Sequence, residues 1–258
     1  MSVFSLSGKT ALVAGASRGI GLAIAQQLAE AGARTTLAAR SLDRLREHAQ
    51  ALEAKGCQAN ALRLDLADSE SIRAALDGLE TPDILVNVAG TNIRKSFPQY
   101  TEQEYEHIMR TNLHGIVELT QKIGARMIDR GAGGKIVMIG SLMSLLGLPY
   151  LSIYAMTKGA LGQLTKALAA EWGRYNIQVN CIAPGFIVTD LNRQMWEPPE
   201  MREWLKGAQA NPRLGAPDDV APLAVFLAGH GADYITGQII AVDGGYTTTA
   251  VWPFEPEG

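Results

Sequence analysis

KTALVAGASRGIG, residues 9–21, is the stretch on which the fold turns. Lys9–Gly15 is a short apolar run that closes on glycine, and Ile20–Ala31 follows with Ala and Leu at helical spacing until Gly32 stops it. Between them the glycines fall as G-x-x-x-G-x-G at Gly15, Gly19 and Gly21, a relative of the dinucleotide-binding fingerprint rather than that pattern itself. Glycines let the backbone turn tightly and approach a pyrophosphate, which sits on the free N–H groups of the helix N-terminus. Gly15, Ser17, Arg18, Gly19, Ile20 and Gly21 are therefore the first candidate cofactor residues.

Outward from this unit, strand-like and helix-like segments alternate to the end of the chain. Strands are expected at Arg34–Ala39, Ala59–Leu64, Asp83–Asn87, Lys135–Gly140, Ile177–Ala183 and Gln238–Val242. Helices are expected at Leu42–Lys55, Ser69–Leu79, Ile153–Gly173 and Asp218–Ala228, with one long helix from Thr101 to about Asp129 opened by the capping-box pair Thr101 and Glu104. Short apolar strands separated by helices imply a parallel sheet covered on both faces. The expected fold is α/β, a single doubly wound Rossmann-type domain of about seven strands over residues 1–258. Residues 190–217, with two tryptophans and a Pro-Pro pair, read as a loop or substrate lid, and residues 247–258 as a C-terminal tail.

Composition narrows the partners. The 258 residues carry 23 Lys+Arg against 26 Asp+Glu, a net charge of −3, so no basic footprint for nucleic acid is present. With 47% hydrophobic and 19% charged residues the chain builds a core rather than a disordered segment. Cys57 and Cys181 are too few for a disulfide scaffold and match no metal spacing, so both are expected as small buried hydrophobes and no metal is expected. The N-terminus lacks a basic and apolar leader, and no run approaches the ~18 apolar residues of a membrane span. A soluble, cytoplasmic protein without membrane contact is the expectation.

The end of the second strand sets nucleotide choice. An acid there would accept from a ribose 2′-hydroxyl; the sequence instead reads Ala38-Ala39-Arg40-Ser41, and Arg18 lies in the glycine turn. Two guanidiniums and a hydroxyl suit a 2′-phosphate, so NADP(H) is expected over NAD(H).

Tyr154 and Lys158 stand at i and i+4 near the start of a helix, and Ser141 ends the strand before it. Together with the glycine turn, Asp65-Leu66, NVAG (87–90), Asn112 in RTNLHG, PGFIVT (184–189) and TGQIIAVDGG (236–245), this text resembles the short-chain dehydrogenase/reductase family over about residues 6–246. The resemblance implies that Tyr154 is the general acid/base on a substrate oxygen, that Lys158 and the nicotinamide cation favour its phenolate, that Ser141 hydrogen-bonds that oxygen, and that Asn112 holds a water-linked proton path. It implies that Asp65 approaches the adenine, Asn87 the ribose, and Ile187 and Thr189 the nicotinamide, with Leu66, Ala89, Gly90, Pro184 and Gly185 in the same cleft. It implies a homotetramer acting on a small carbonyl or alcohol. Two departures stand out: Ala14 replaces the usual Thr before Gly15, and Val88 replaces the second Asn of N-N-A-G. We expect a compensated pair, one apolar contact in place of a hydrogen-bonded one.

Candidate pocket residues are Ile93, Arg94, Met143, Ser144, Pro149, Tyr150, Ile187 and Trp196. SLMSLLG (141–147) and AGTNIRKSF (89–97) look most like the family's sugar-acid and polyol dehydrogenases, and Arg94 would fork onto a substrate carboxylate or face solvent. Leu145, Leu146, Leu148 and Tyr150 suit 3-oxoacyl or bulky apolar carbonyls as well. A non-catalytic, cofactor-binding sensor is the different class of reading; such a chain is expected to lack Tyr, Lys or Ser of the constellation, and all are present. On the helix Ile153–Gly173, Leu161, Leu164, Leu168 and Trp172 form one apolar stripe, and Gly159, Ala160, Gly162 and Ala169 are expected to leave the other side open to a partner helix. Trp252, Pro253 and Phe254 of the tail are expected to pack on their own subunit or to cross to a neighbour's pocket.

Overall fold

A computed structural model describes residues 3–190 and 192–248. Seven parallel strands, β1 Thr10–Ala14, β2 Arg34–Ala39, β3 Ala59–Arg63, β4 Ile84–Asn87, β5 Gly134–Ile139, β6 Ile177–Pro184 and β7 Ile239–Val242, form one sheet in the order β3-β2-β1-β4-β5-β6-β7. Chain order reverses between β1 and β4, and the crevice at the carboxyl ends of those strands is where an open α/β sheet binds its ligand. One face is covered by α1 Gly19–Glu30, α2 Leu42–Glu53 and α8 Pro217–Ala228, through Ile24, Leu28, Leu45, Leu52 and Val220. The other carries α3 Ser69–Leu76, α5 Gly115–Arg130 and α6 Ser152–Trp172, through Ile72, Ile116, Leu119, Leu161 and Trp172. β6, inside the sheet, is buried at every position, as expected of a strand enclosed on both faces. Among the described residues no helix is long and apolar enough to cross a membrane.

The single helix expected from Thr101 is two helices, α4 Glu102–Met109 and α5, joined by a π-helical turn, Arg110–His114. Its capping box is formed: the Glu104 N–H donates to Thr101 Oγ1 at 3.2 Å and the Thr101 N–H to Glu104 Oε2 at 2.9 Å. The residue gained in a π turn shifts the helix face, and here the turn contains a fully buried Asn112.

Residues 190–217 are not a loop throughout. A 3₁₀ turn, Arg193–Trp196, precedes α7 Pro199–Ala208, which begins on Pro199 because a fixed φ and a missing N–H suit the first helical position.

Two of the four small residues of α6 face the sheet, while Gly159 and Ala160 are half-buried outside that stripe. Gly162 and Ala169 lie in the same buried stripe as Leu161 and Trp172, and a Cβ on Gly162 would stand 2.9 Å from Ile239 Cδ1 of β7. Positions 161, 162, 165, 169 and 172 share one side of a 3.6-residue helix, so small and large residues alternate on the sheet face.

The expected Ala14–Val88 contact is likewise absent. Ala14 belongs to the core on the α5 and α6 side and Val88 packs against the other, because neighbouring strand ends alternate faces. What links them is backbone: the Val88 N–H donates to the Ala14 carbonyl at 2.9 Å. Cys181 is buried and Cys57 only half-buried. Of the tail, Thr247 and Thr248 are described, and Thr247 donates from N–H and hydroxyl to Asp243 Oδ2 at 2.8 and 2.7 Å; Trp252, Pro253 and Phe254 lie outside the described residues.

Candidate active site

The glycine turn is built by backbone approach. At Gly15, φ is +104° and a Cβ would lie 2.6 Å from the Ala89 nitrogen, while at Gly21 a Cβ would lie 2.1 Å from the Gly15 carbonyl oxygen. Only glycine permits either packing. The segment after β6 leans over the same turn, where Thr189 Cγ2 faces Gly19. Asn192 fixes that segment: its Oδ1 accepts from the Thr189 N–H at 2.8 Å and its Nδ2 donates to the Ile187 carbonyl at 2.8 Å. Gly185 stands against Asp243, where a Cβ would be 2.6 Å from its Cα, and Pro184 and Ile187 are buried beside it.

At the far end of the crevice Arg18, Arg40 and Ser41 are exposed, and neither guanidinium has a hydrogen-bond or ion-pair partner among the described residues. His48 of α2 stands beside them, its Nε2 3.3 Å from the Ser17 carbonyl. A cradle that a Cβ would fill, exposed helix N–H groups and two unpaired cations fit a phosphorylated dinucleotide.

Three expected cofactor residues are tied wholly or in part into the fold. Asn87 is fully buried, and its Nδ2 donates to Thr120 Oγ1 at 3.0 Å, so its side chain braces β4 against α5 rather than meeting a ribose. Leu66 is buried in the core, which leaves only its backbone for a ligand. Asp65 accepts the Ala67 N–H at 2.9 Å on one carboxylate oxygen, closing a turn at the end of β3.

The residues expected to be catalytic converge beyond the end of β5. Lys158, 3% exposed, donates from Nζ to the Ile139 carbonyl at 2.8 Å, and the ammonium lies 5.7 Å from the centre of the Tyr154 ring. The Ser141 hydroxyl lies near enough to the Tyr154 phenol to draw its pKa down. Asn112 brackets Thr91, accepting its N–H on Oδ1 and donating from Nδ2 to its carbonyl, both at 2.8 Å, and so fixes the loop after NVAG. Gly90 leaves the gap beside them, where a Cβ would stand 3.5 Å from Lys158 Nζ and 3.6 Å from Asn112 Oδ1.

Burial dominates the charge balance at this centre. Burial pushes the Tyr154 phenol above its ordinary value, and the Ser141 hydrogen bond and the Arg94 guanidinium pull it only partly back. Burial also lowers Lys158 from 10.5 to about 8, with the Cys181 thiol opposing. The same dry surroundings penalise the charged form of each group.

Lys158 has a stability consequence. A group whose folded pKa lies below its unfolded value burdens the fold while charged, and the burden lifts as pH rises from about 8 to 10.5. Lys158→Met should therefore stabilise the cofactor-free protein at pH 7 by about 2 kcal/mol, roughly 3 from the relieved charge less about 1 for the Ile139 carbonyl left unpaired. Melting curves at pH 7 and pH 10 check this: the variant's advantage should shrink at the higher pH, and a parent that melts higher at pH 7 would show the charge to be well compensated.

Around Tyr154, Leu142, Met143 and Leu151 form a small core with Leu146, Leu148, Ala155, Phe186 and Tyr246 packed on it. Ser144 is not part of the pocket wall; its hydroxyl donates to the Lys158 carbonyl at 2.8 Å and accepts the Ser141 N–H at 3.3 Å, tying strand end to helix. Tyr150 is exposed at φ +65°, and its carbonyl accepts the Lys95 N–H at 3.0 Å. Pro149 and Leu145 are exposed, and Ile93 is half-buried near α4. Arg94 reaches across to the Met195 sulfur. Trp196 is buried, edge-on to Phe186 with centroids 5.3 Å apart, and Phe186 also meets Trp204 at 5.4 Å and Tyr246 at 4.9 Å. The sequence reading missed Thr91, Asn192, Phe186 and Tyr246; only the aromatics between glycine-marked strand ends offered a signal.

A family profile described as Enoyl-(Acyl carrier protein) reductase matches residues 15–247. A gluconate 5-dehydrogenase of Gluconobacter oxydans (strain 621H) is 36% identical over 96% of this chain and 98% of its own. A tropinone reductase homolog of Arabidopsis thaliana is 38% identical over 95% of this chain and 94% of its own. A crystal structure of a gluconate 5-dehydrogenase from Burkholderia cenocepacia J2315, in complex with NADP and tartrate, superposes with a TM-score of 0.91 at 37% identity, covering 96% of this chain and 98% of that one.

Proposed function

The chain belongs to the short-chain dehydrogenase/reductase family, an oxidoreductase acting on CH–OH groups with a nicotinamide nucleotide, and from that premise we propose an NADP(H)-preferring dehydrogenase of sugar acids or polyols. The carrying observation is the meeting of Ser141, Tyr154, Lys158 and Asn112 beside the glycine turn. When bound, the nicotinamide supplies or accepts the hydride. Tyr154 gives a proton to the carbonyl oxygen during reduction and takes it back during oxidation, while Ser141 hydrogen-bonds that oxygen and holds the phenol. Lys158 places its charge under the phenol ring, and Asn112 sets the backbone at Thr91 that borders it. Gly15, Ser17, Gly19, Ile20, Gly21, Asp65, Ala89, Gly90, Gly185, Ile187 and Thr189 hold the nucleotide.

Arg94 supports an acidic substrate. It is a cation at the pocket mouth whose charge is felt at Tyr154, and a guanidinium matches a carboxylate. The apolar wall of Leu142, Met143 and Leu148 favours a second reading, a general or 3-oxoacyl carbonyl reductase. Residues 190–217 serve as the lid. Val117 and Met156, exposed on the outer faces of α5 and α6, support a homotetramer. A panel of sugar acids, polyols and oxoacyl thioesters followed by NADPH absorbance separates the readings, and a chain that turns over none of them is a sensor.

Cofactor choice is directly testable. Charged hydrogen bonds to a 2′-phosphate, at about 1.5–3 kcal/mol each, should make NADPH bind at least about tenfold more tightly than NADH, and Arg40→Ala should erase most of the difference. Equal dissociation constants for the two in the parent would refute the assignment.

A further inference from the structure

Ser144 sits in a slot that two glycines make. It ends the 3₁₀ turn Leu142–Ser144, between the strand end that carries Ser141 and the helix that carries Tyr154 and Lys158. A Cβ on Gly140 would stand 2.5 Å from the Ser144 hydroxyl oxygen, and a Cβ on Gly162 of α6 would stand 3.5 Å from Ser144 Cβ. From that slot the serine holds both sides. Its N–H donates to the Ser141 carbonyl at 2.8 Å, its hydroxyl oxygen accepts the Ser141 N–H at 3.3 Å, and the hydroxyl donates to the Lys158 carbonyl at 2.8 Å. The last bond satisfies no orphan: position 158 lies inside α6, where the helical ladder already offers its carbonyl a donor. Among the described residues, 142–150 make no other hydrogen bond to α6.

We infer that Ser144 is a positioning residue for the reaction: its hydroxyl fixes the distance from Ser141 to Tyr154 and Lys158, and so places the Ser141 hydroxyl on the substrate oxygen. This rests on the dehydrogenase reading of the site. The chain between the two elements otherwise runs over the surface, with Leu145, Gly147, Pro149 and Tyr150 exposed. A reacting group displaced by about 1 Å can lose roughly a hundredfold in rate, so such a clamp has a kinetic consequence.

The test uses the full chain with NADP. D-gluconate, sorbitol and a 3-hydroxyacyl thioester are offered, and whichever the parent oxidises fastest is the probe. Ser144→Ala removes the clamp. Ser144→Cys, measured in reductant, keeps the shape and weakens the donor, so the same comparison stands if the alanine protein folds poorly. Ser144→Ala is also combined with Ser141→Ala. Alone it should lower kcat roughly tenfold while the KM for NADP stays within about twofold. Once Ser141 is already alanine it should cost less than about twofold more, because the clamp acts through that residue. Ser141 also draws the Tyr154 phenol down, so releasing it should move the rising limb of the kcat–pH profile for oxidation to higher pH. An undiminished kcat, an unmoved limb, or the full loss in the Ser141→Ala background overturns the inference and leaves the dehydrogenase reading standing. Parental turnover in Ser141→Ala, or a parent that oxidises none of the three probes, overturns both.

Discussion

Tyr154→Phe should fold, bind NADPH as the parent does, and lose about 10²–10⁴-fold in turnover. The ring packs on the cluster of Leu142, Met143 and Leu151, and phenylalanine preserves that contact. The hydroxyl that disappears is buried near Ser141, and burial holds the phenol above its ordinary value. Folding therefore loses little, whereas the proposed reaction loses its proton carrier. Stopped-flow and steady-state rates with a productive substrate, beside a fluorescence titration of NADPH, separate the two effects. A variant that retains half of the parent rate would mean that the proton leaves by another route.

Gly21→Ala should abolish cofactor binding, or lower it by more than about a hundredfold, and reduce the melting temperature. Its Cβ would enter at 2.1 Å from the Gly15 carbonyl oxygen and 2.8 Å from the Gly15 carbonyl carbon. Both obstacles are backbone, so no rotamer change relieves the clash, and the turn must open to admit a methyl group. Overpacking of this kind typically costs about 1–3 kcal/mol and more where the main chain is the obstacle. The distortion falls on the N–H groups that face the pyrophosphate, which is why affinity should fall further than stability. Gly207→Ala on α7 is the control, because nothing stands within 4 Å of a Cβ there. NADPH titration and thermal melts of both variants decide it; parental affinity in Gly21→Ala would show that the turn yields easily.

The layered fold was legible because each strand is a short apolar run and each helix has its own period, so the order of elements could be read off the text. The carboxyl-end crevice followed from the same order, whereas Asn112, Ser141, Tyr154 and Lys158 were named through the family resemblance. What escaped was direction. Asn87 stands at the correct strand end for a ribose, yet period-two alternation puts its side chain on the face that Leu85 occupies, toward Thr120. Ser144 sits in the expected pocket segment, but a 3₁₀ turn rotates its hydroxyl onto the Lys158 carbonyl. The π turn around Asn112 escaped because a helical apolar pattern tolerates one gained residue. α7 escaped because two prolines read as interruption when the second of them begins a helix.

The residues proposed to handle the proton and the span proposed as a lid ride on different parts of the chain. Ser141, Tyr154 and Lys158 belong to β5 and α6, held by sheet and core, while Trp196 and Trp204 belong to the span between β6 and α8. Phe186 is the weld between them, touching the Tyr154 cluster on one side and both tryptophans on the other. Mutation can therefore rewrite that span for a new substrate while the reaction survives unaltered, and Phe186 is the position at which such drift has to be reconciled with the inherited chemistry.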